Sequence, residues 1–182
     1  IGDDKRGDIG NTSLMYARAM FEDFGFDATT VAPYMGFDSV EPFLRHGEKG
    51  VFVLALTSNK GSRDFQYLEV DGSPLYTHVV RTVTAWNTLR NIGFVVGATH
   101  PSELAEIRSM VGDMPLLIPG LGAQGGDVEQ SVRAGCTAGG SRGVFNSSRG
   151  IIYAGDGEDF ADHARKAAMD LRTQINQYRS DR

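Results

Sequence analysis

Strand-like apolar runs alternating with helical patterns predict an α/β fold with a parallel sheet, and their spacing points to a (β/α)8 barrel of the TIM type. Three observations carry this. The runs at residues 28–35, 50–57, 93–98, 115–119 and 143–146 are each followed by a turn and then a helix pattern, which is the signature of repeated βαβ units. Val51-Phe52-Val53-Leu54-Ala55-Leu56 is continuously apolar rather than alternating, as expected of a strand covered on both faces. Counting residues 1–5 as the tail of an earlier run gives six strands. A barrel of eight takes about 250 residues at roughly 30 per unit, so two further units before Ile1 would complete it. An open doubly wound sheet is the alternative that periodicity leaves standing.

The helix patterns fall at about 12–24, 38–47, 73–91, 101–111, 127–134 and 157–179. Thr12 or Ser13 can cap the first, Pro101 suits the opening position of the fourth, and Asp127 can cap the fifth. No low-complexity segment or linker interrupts the pattern, so residues 1–182 are expected to form one catalytic barrel domain, incomplete at its N-terminus. The longest irregular stretch, 59–72, contains Gly61 and Gly72. It reads either as a solvated loop or as a flap at the mouth of a site, since loops after strands carry function in such folds.

Composition narrows the classes. The chain has 182 residues, 41% of them hydrophobic, enough for a sizeable core. Its net charge of −5 lacks the basic stripe of a nucleic-acid binder. An anionic ligand must therefore be held by locally placed donors. Cys136 is the only cysteine, which excludes an internal disulfide and fits a reducing, cytoplasmic setting. No apolar run is long enough to cross a bilayer. The first residue is not Met and reads as strand interior, so the natural protein is expected to continue before Ile1.

The chemistry-bearing residues cluster just after strands, where parallel α/β folds place their sites. Residues two apart in a strand share a face. Asp3 and Lys5 therefore project together, Asp4 points the other way, and Asp8 lies in the following turn. An exposed lysine between two acids is ordinarily a surface ion pair worth little; at a strand end, in a barrel mouth, it reads as a functional network. Thr57-Ser58-Asn59 follows the run ending at Leu56. After Leu116-Leu117-Ile118 comes Pro119-Gly120-Leu121-Gly122-Ala123-Gln124-Gly125-Gly126-Asp127, four of whose residues are glycines that let backbone amides approach an anion. A helix opening near Asp127 adds oriented N–H groups. After the last strand, Asn146-Ser147-Ser148-Arg149-Gly150 supplies an arginine suited to bidentate phosphate contact. Loops after the last two strands of a barrel often form a phosphate site. His46, His78 and His163 lie in helix patterns as surface or packing residues, His100 reads as a turn residue, and Cys136 as a small packed one. A metal site is not expected, because Lys5 occupies the centre of the only acidic cluster.

These motifs together resemble the orotidine 5′-phosphate decarboxylase family, in its bacterial branch with a long loop after the fifth strand. Asp-x-Lys-x-x-Asp-Ile stands as Asp3-Asp4-Lys5-Arg6-Gly7-Asp8-Ile9, followed by Thr12. Residues 56–59 look like the family's pyrimidine-contacting strand end, 119–127 like its phosphate-gripping loop, and Ser148-Arg149-Gly150 like its last phosphate element. The resemblance implies conversion of orotidine 5′-monophosphate to UMP and CO2 in de novo pyrimidine biosynthesis, with no cofactor and no metal. It implies a homodimer with shared active sites, Asp3 and Lys5 coming from one subunit while Asp8, Ile9 and Thr12 reach into the partner's site. Lys5 would be the proton donor and Ser58 would bond the pyrimidine amide edge. Pro119 would pack near the base, and Gln124, Arg149 and the amides around Ser148 would hold the 5′-phosphate. The family's further acid and lysine, on its first two strands, would lie before Ile1. Asp4 stands where a small residue is common in the family, and strand geometry turns it away from Lys5.

Two rivals remain from the residues alone. Sugar-phosphate decarboxylases and aldolases of the same superfamily share the Asp-x-Lys-x-x-Asp pattern but require magnesium. A non-catalytic nucleotide-phosphate binding module could also keep the barrel.

Overall fold

The protein is described here by a computed structural model covering residues 1–121 and 127–180. The chain divides into two compact units, Ile1–Val96 and Gly97–Arg182.

The first unit runs β1 (Gly2–Arg6), α1 (Gly10–Arg18), β2 (Ala28–Val31), α2 (Phe37–Leu44), β3 (Gly50–Leu56), α3 (Ser62–Phe65), β4 (Glu69–Val70), β5 (Ser73–Pro74), α4 (Leu75–Ala85) and β6 (Ile92–Val96). β1, β2, β3 and β6 form a parallel sheet in that order. All their C-terminal ends therefore lie on one edge, carrying Lys5, Thr30 and Thr57. The continuous apolar run of β3 is buried as its composition requires, Val51, Val53 and Leu56 having no exposed surface. α4 covers the sheet with Tyr76, Val80 and Val83, buried at the helical spacing of one face.

The second unit contains α5 (Pro101–Val111), β7 (Leu116–Pro119), α6 (Val128–Gly135), β8 (Gly143–Asn146), α7 (Arg149–Ile152) and α8 (Phe160–Ser180). β7 and β8 pair in parallel from Leu116↔Gly143 to Pro119↔Asn146. The loops after them therefore start side by side. α5 buries Leu104, Ile107 and Val111, again one helical stripe. Gly135 ends α6 close against β7, where a Cβ would displace the tip of the Ile118 side chain.

Most strand and helix positions match the sequence pattern, with instructive differences. The first helix starts at Gly10 rather than Thr12, and neither Thr12 nor Ser13 caps it. Ser13 is buried and donates instead to the Ser39 carbonyl (2.7 Å), tying α1 to the first turn of α2. α1 runs on into a π-helical turn, Ala19–Asp23. The expected helix over 73–91 begins as strand β5, and segment 59–72 is not structureless. It folds into α3 and the β4–β5 hairpin, pinned by His78 Nε2 to the Val70 carbonyl (2.6 Å). His46 packs against the Phe21 ring at 5.0 Å, and Cys136 is buried, both as expected.

Arg108 is an anchor that the sequence did not advertise. On the last turn of a helix a lone arginine reads as solvated, yet it is 9% exposed. Its guanidinium donates to the carbonyls of Gly112 (2.6 Å), Met114 (2.7 Å), Gly135 (3.0 and 2.7 Å) and Arg142 (3.1 Å). It thereby joins the segments that enter β7 and β8. Lysine keeps the charge but loses the planar fork. Arg108→Lys should lower unfolding stability by roughly 3 kcal/mol, read by urea denaturation, because buried carbonyls lose charge-assisted partners.

Candidate active site

At the end of β1 the structure brings Asp3 and Lys5 together, with Lys5 Nζ 2.5 Å from Asp3 Oδ1. On the other side of the strand Arg6 Nε meets Asp4 Oδ2 at 2.6 Å and lies over the Tyr16 ring at 4.6 Å. The hydrogen bond from Arg6 to Asp4, with the charge behind it, raises the guanidinium pKa above its ordinary value. Asp4 is thus occupied away from Lys5, as the period of two predicts.

The route to this arrangement is not a regular strand. Gly2 pairs with Thr29 and Arg6 with Val31, so five residues of β1 span three of β2. Such a bulge re-aims side chains. Within it Lys5 has φ +54°, a left-handed conformation uncommon for a residue other than glycine. Thr30, fully buried, receives the Lys5 N–H on its hydroxyl at 2.9 Å and donates to Asp3 Oδ1 at 3.0 Å. Thr29, also buried, donates to the Gly2 carbonyl at 3.0 Å. Sequence reasoning missed Thr30, whose signal was one of two polar residues inside a strand that is otherwise apolar.

The Asp3 and Lys5 side chains are 62% and 48% exposed. An ion pair so open contributes at most about 1 kcal/mol to stability, so the fold has little use for it. Asp8 accepts the Ile9 N–H at 2.8 Å, and Ile9 and Thr12 are exposed.

At the end of β3, Gln66 grips Thr57. Its Oε1 accepts the Thr57 N–H (2.8 Å) and its Nε2 donates to the Thr57 hydroxyl (2.9 Å), while that hydroxyl donates to Asn59 Oδ1 (2.6 Å). The half-buried Ser58 is thereby held in a turn fixed on both flanks. Gln66 lies on the segment read as loop or flap, and its nine-residue separation from Thr57 hid the contact.

In the second unit Pro119 is half-buried at the end of β7, and Gly120 follows with φ +100°, a turn that glycine makes without strain. Gln124 lies outside the described residues. Ser148, in the loop that starts beside Gly120, and Arg149, which opens α7, are exposed after β8. Asp127 caps α6 by accepting the Gln130 N–H at 2.8 Å, so that amide is not open to an anion. A cleft of about 210 Å³ touches Ser147 and Gly150, but its lining is mainly apolar, with Asp170 and no cation. It does not suit a phosphate. Among the described residues no cluster of three or more His, Cys, Asp or Glu could hold a metal.

The parallel strands, alternating with helices and carrying a charged network at a strand's C-terminal end, define an α/β protein, consistent with a partial (β/α)8 barrel. The chain belongs to the orotidine 5′-phosphate decarboxylase / HUMPS family, whose model matches residues 1–164. It is 57% identical over 181 residues to orotidine 5′-phosphate decarboxylase of Ralstonia pickettii (strain 12J), covering 99% of this chain and 67% of that protein. The enzyme of the same name from Janthinobacterium sp. (strain Marseille) is 56% identical, with 97% and 65% covered. The solved structure of Leishmania donovani OMP decarboxylase superposes with a TM-score of 0.83 at 39% identity, over 95% of this chain and 67% of that one. The chain thus spans about two thirds of the length of these relatives.

Gln66→Leu removes both bonds to Thr57 while preserving bulk. Amide hydrogen exchange at Thr57 and Ser58 should accelerate by about tenfold or more, with the β3 core amides still protected.

Proposed function

We propose that this chain carries the decarboxylation of orotidine 5′-monophosphate to UMP and CO2, in de novo pyrimidine biosynthesis in the cytoplasm. The observation behind this reading is the Asp3–Lys5 pair at the end of β1. A half-exposed cation, oriented by a carboxylate and worth little to the fold, is suited to meeting negative charge on a ligand. Family membership supports the substrate.

The C6–CO2 bond breaks heterolytically, leaving its electron pair on C6 of the pyrimidine. That carbanion has no neighbouring group to delocalise it well, so stabilisation must be electrostatic and prearranged. The Lys5 ammonium faces the developing charge and delivers its proton to C6; solvent then reprotonates the amine. Asp3 lies beside the departing carboxylate, disfavours it relative to CO2, and keeps the lysine oriented. No cofactor takes part in these steps. Ser58 bonds the amide edge of the base, and Pro119 packs near it. Gln124, Arg149 and the amides around Ser148 take the 5′-phosphate, whose binding energy helps organise the reacting end.

The working form is a homodimer in which Asp8, Ile9 and Thr12 complete the partner's site. Ile9, Tyr34 and Met35, on the loops after β1 and β2, and Phe37, opening α2, are 57%, 88%, 43% and 48% exposed, apolar surface that a partner subunit would cover.

Lys5→Ala should abolish loss of orotate absorbance while leaving the circular dichroism spectrum unchanged; near-parental turnover would refute the donor role. Mixing Lys5→Ala with an equally inactive Asp8→Ala protein should restore about a quarter of parental activity, because half the dimers are hybrids with one of two sites intact. Arg149→Ala should lower kcat/KM severely, and phosphite dianion should partly rescue its turnover of a phosphate-free substrate. Absence of rescue would assign the arginine another task.

A further inference from the structure

We infer that Thr30 is a positioning residue for the reacting lysine: its hydroxyl locks the backbone of Lys5 and the carboxylate that steers its amine. The inference rests on the reading of Lys5 as proton donor.

Because five residues of β1 span three of β2, the Lys5 N–H has left the regular ladder. Its bond goes to the Thr30 hydroxyl instead (2.9 Å), and the same hydroxyl spends its only proton on Asp3 Oδ1 (3.0 Å). Asp3 Oδ1 in turn faces Lys5 Nζ (2.5 Å). The three residues close a ring that runs from the Lys5 backbone, through Thr30 and Asp3, back to the Lys5 amine. The Thr30 oxygen both accepts and donates, so its side chain cannot turn about χ1 without breaking a bond on each side.

Two features make Thr30 a rigid base for this ring. It has no exposed surface, and its β-branched side chain is stiff about χ1. Left-handed φ at a lysine persists only where the surroundings hold it, and the bond to Thr30 is the hydrogen bond that meets Lys5 at its own backbone. A valine would fill the same space in a buried strand, so packing alone does not call for a hydroxyl there. The neighbouring Thr29 provides the contrast. It is equally buried but bonds only the Gly2 carbonyl, away from the charged groups.

The test compares Thr30→Val, Thr30→Ser and Thr29→Val in the intact enzyme, by steady-state kinetics and by amide hydrogen exchange at Lys5. Thr30→Val should speed exchange of the Lys5 amide about tenfold or more and lower kcat about ten- to a hundredfold, with KM within about threefold. Thr30→Ser, which restores the hydroxyl, should return both to within about threefold of the parent, and Thr29→Val should leave both near the parental values. If Thr30→Val does not fold, Thr30→Cys, similar in size and weaker as a hydrogen-bonding group, should show the same pattern to a smaller extent. A Lys5 amide equally protected without the hydroxyl, an unchanged kcat in Thr30→Val, or a serine variant no better than valine overturns the proposal. If the parent itself fails to decarboxylate the substrate, the donor reading falls. The exchange data then still decide whether Thr30 holds Lys5.

Discussion

A backbone N–H that leaves its ladder must find another acceptor, and at the end of β1 that requirement organises everything nearby. An unsatisfied buried donor costs about 1–3 kcal/mol, and a non-glycine residue held in a sparsely populated conformation about as much again. Lys5, its N–H part-buried, presents a share of both, and the Thr30 hydroxyl of the adjacent strand accepts that N–H where a carbonyl would normally serve. The Asp3–Lys5 pair that results is open to solvent and returns little stability. A costly local geometry without a stabilising return is what a site looks like when its purpose lies outside the fold.

The second unit separates its tasks differently. Arg108 gathers carbonyls where the chain enters β7 and β8, while Gly120, Ser148 and Arg149 follow the opposite ends of the same two strands. Asp127 uses its carboxylate on the α6 amide of Gln130. Its contribution is to the helix, whereas Arg149, which opens α7, is exposed.

The α/β alternation was legible because strands buried on both faces must be apolar throughout, as β3 is, and because α5 begins on a proline suited to its first turn. The pairing of Asp3 with Lys5 and of Asp4 with Arg6 was legible from the period of a strand. The bulge that sets their geometry was not, since a lysine rather than a glycine occupies the left-handed position. Ser13 read as a cap because helix starts favour serine, but a tertiary partner, the Ser39 carbonyl, took its hydroxyl. The β4–β5 hairpin has two residues per strand and α7 has four in all, too few for any periodicity to register. Gln66 was invisible for another reason: its importance lies in a contact with Thr57 that only the folded loop creates.

The arginine clamp has an evolutionary corollary. It fastens β7 and β8 at one end, and the turns proposed to take the phosphate begin a four-residue strand away, about 13 Å. Mutations that retune those turns would leave the clamp untouched. Selection could then explore novel specificities without first having to find compensating changes that rescue folding.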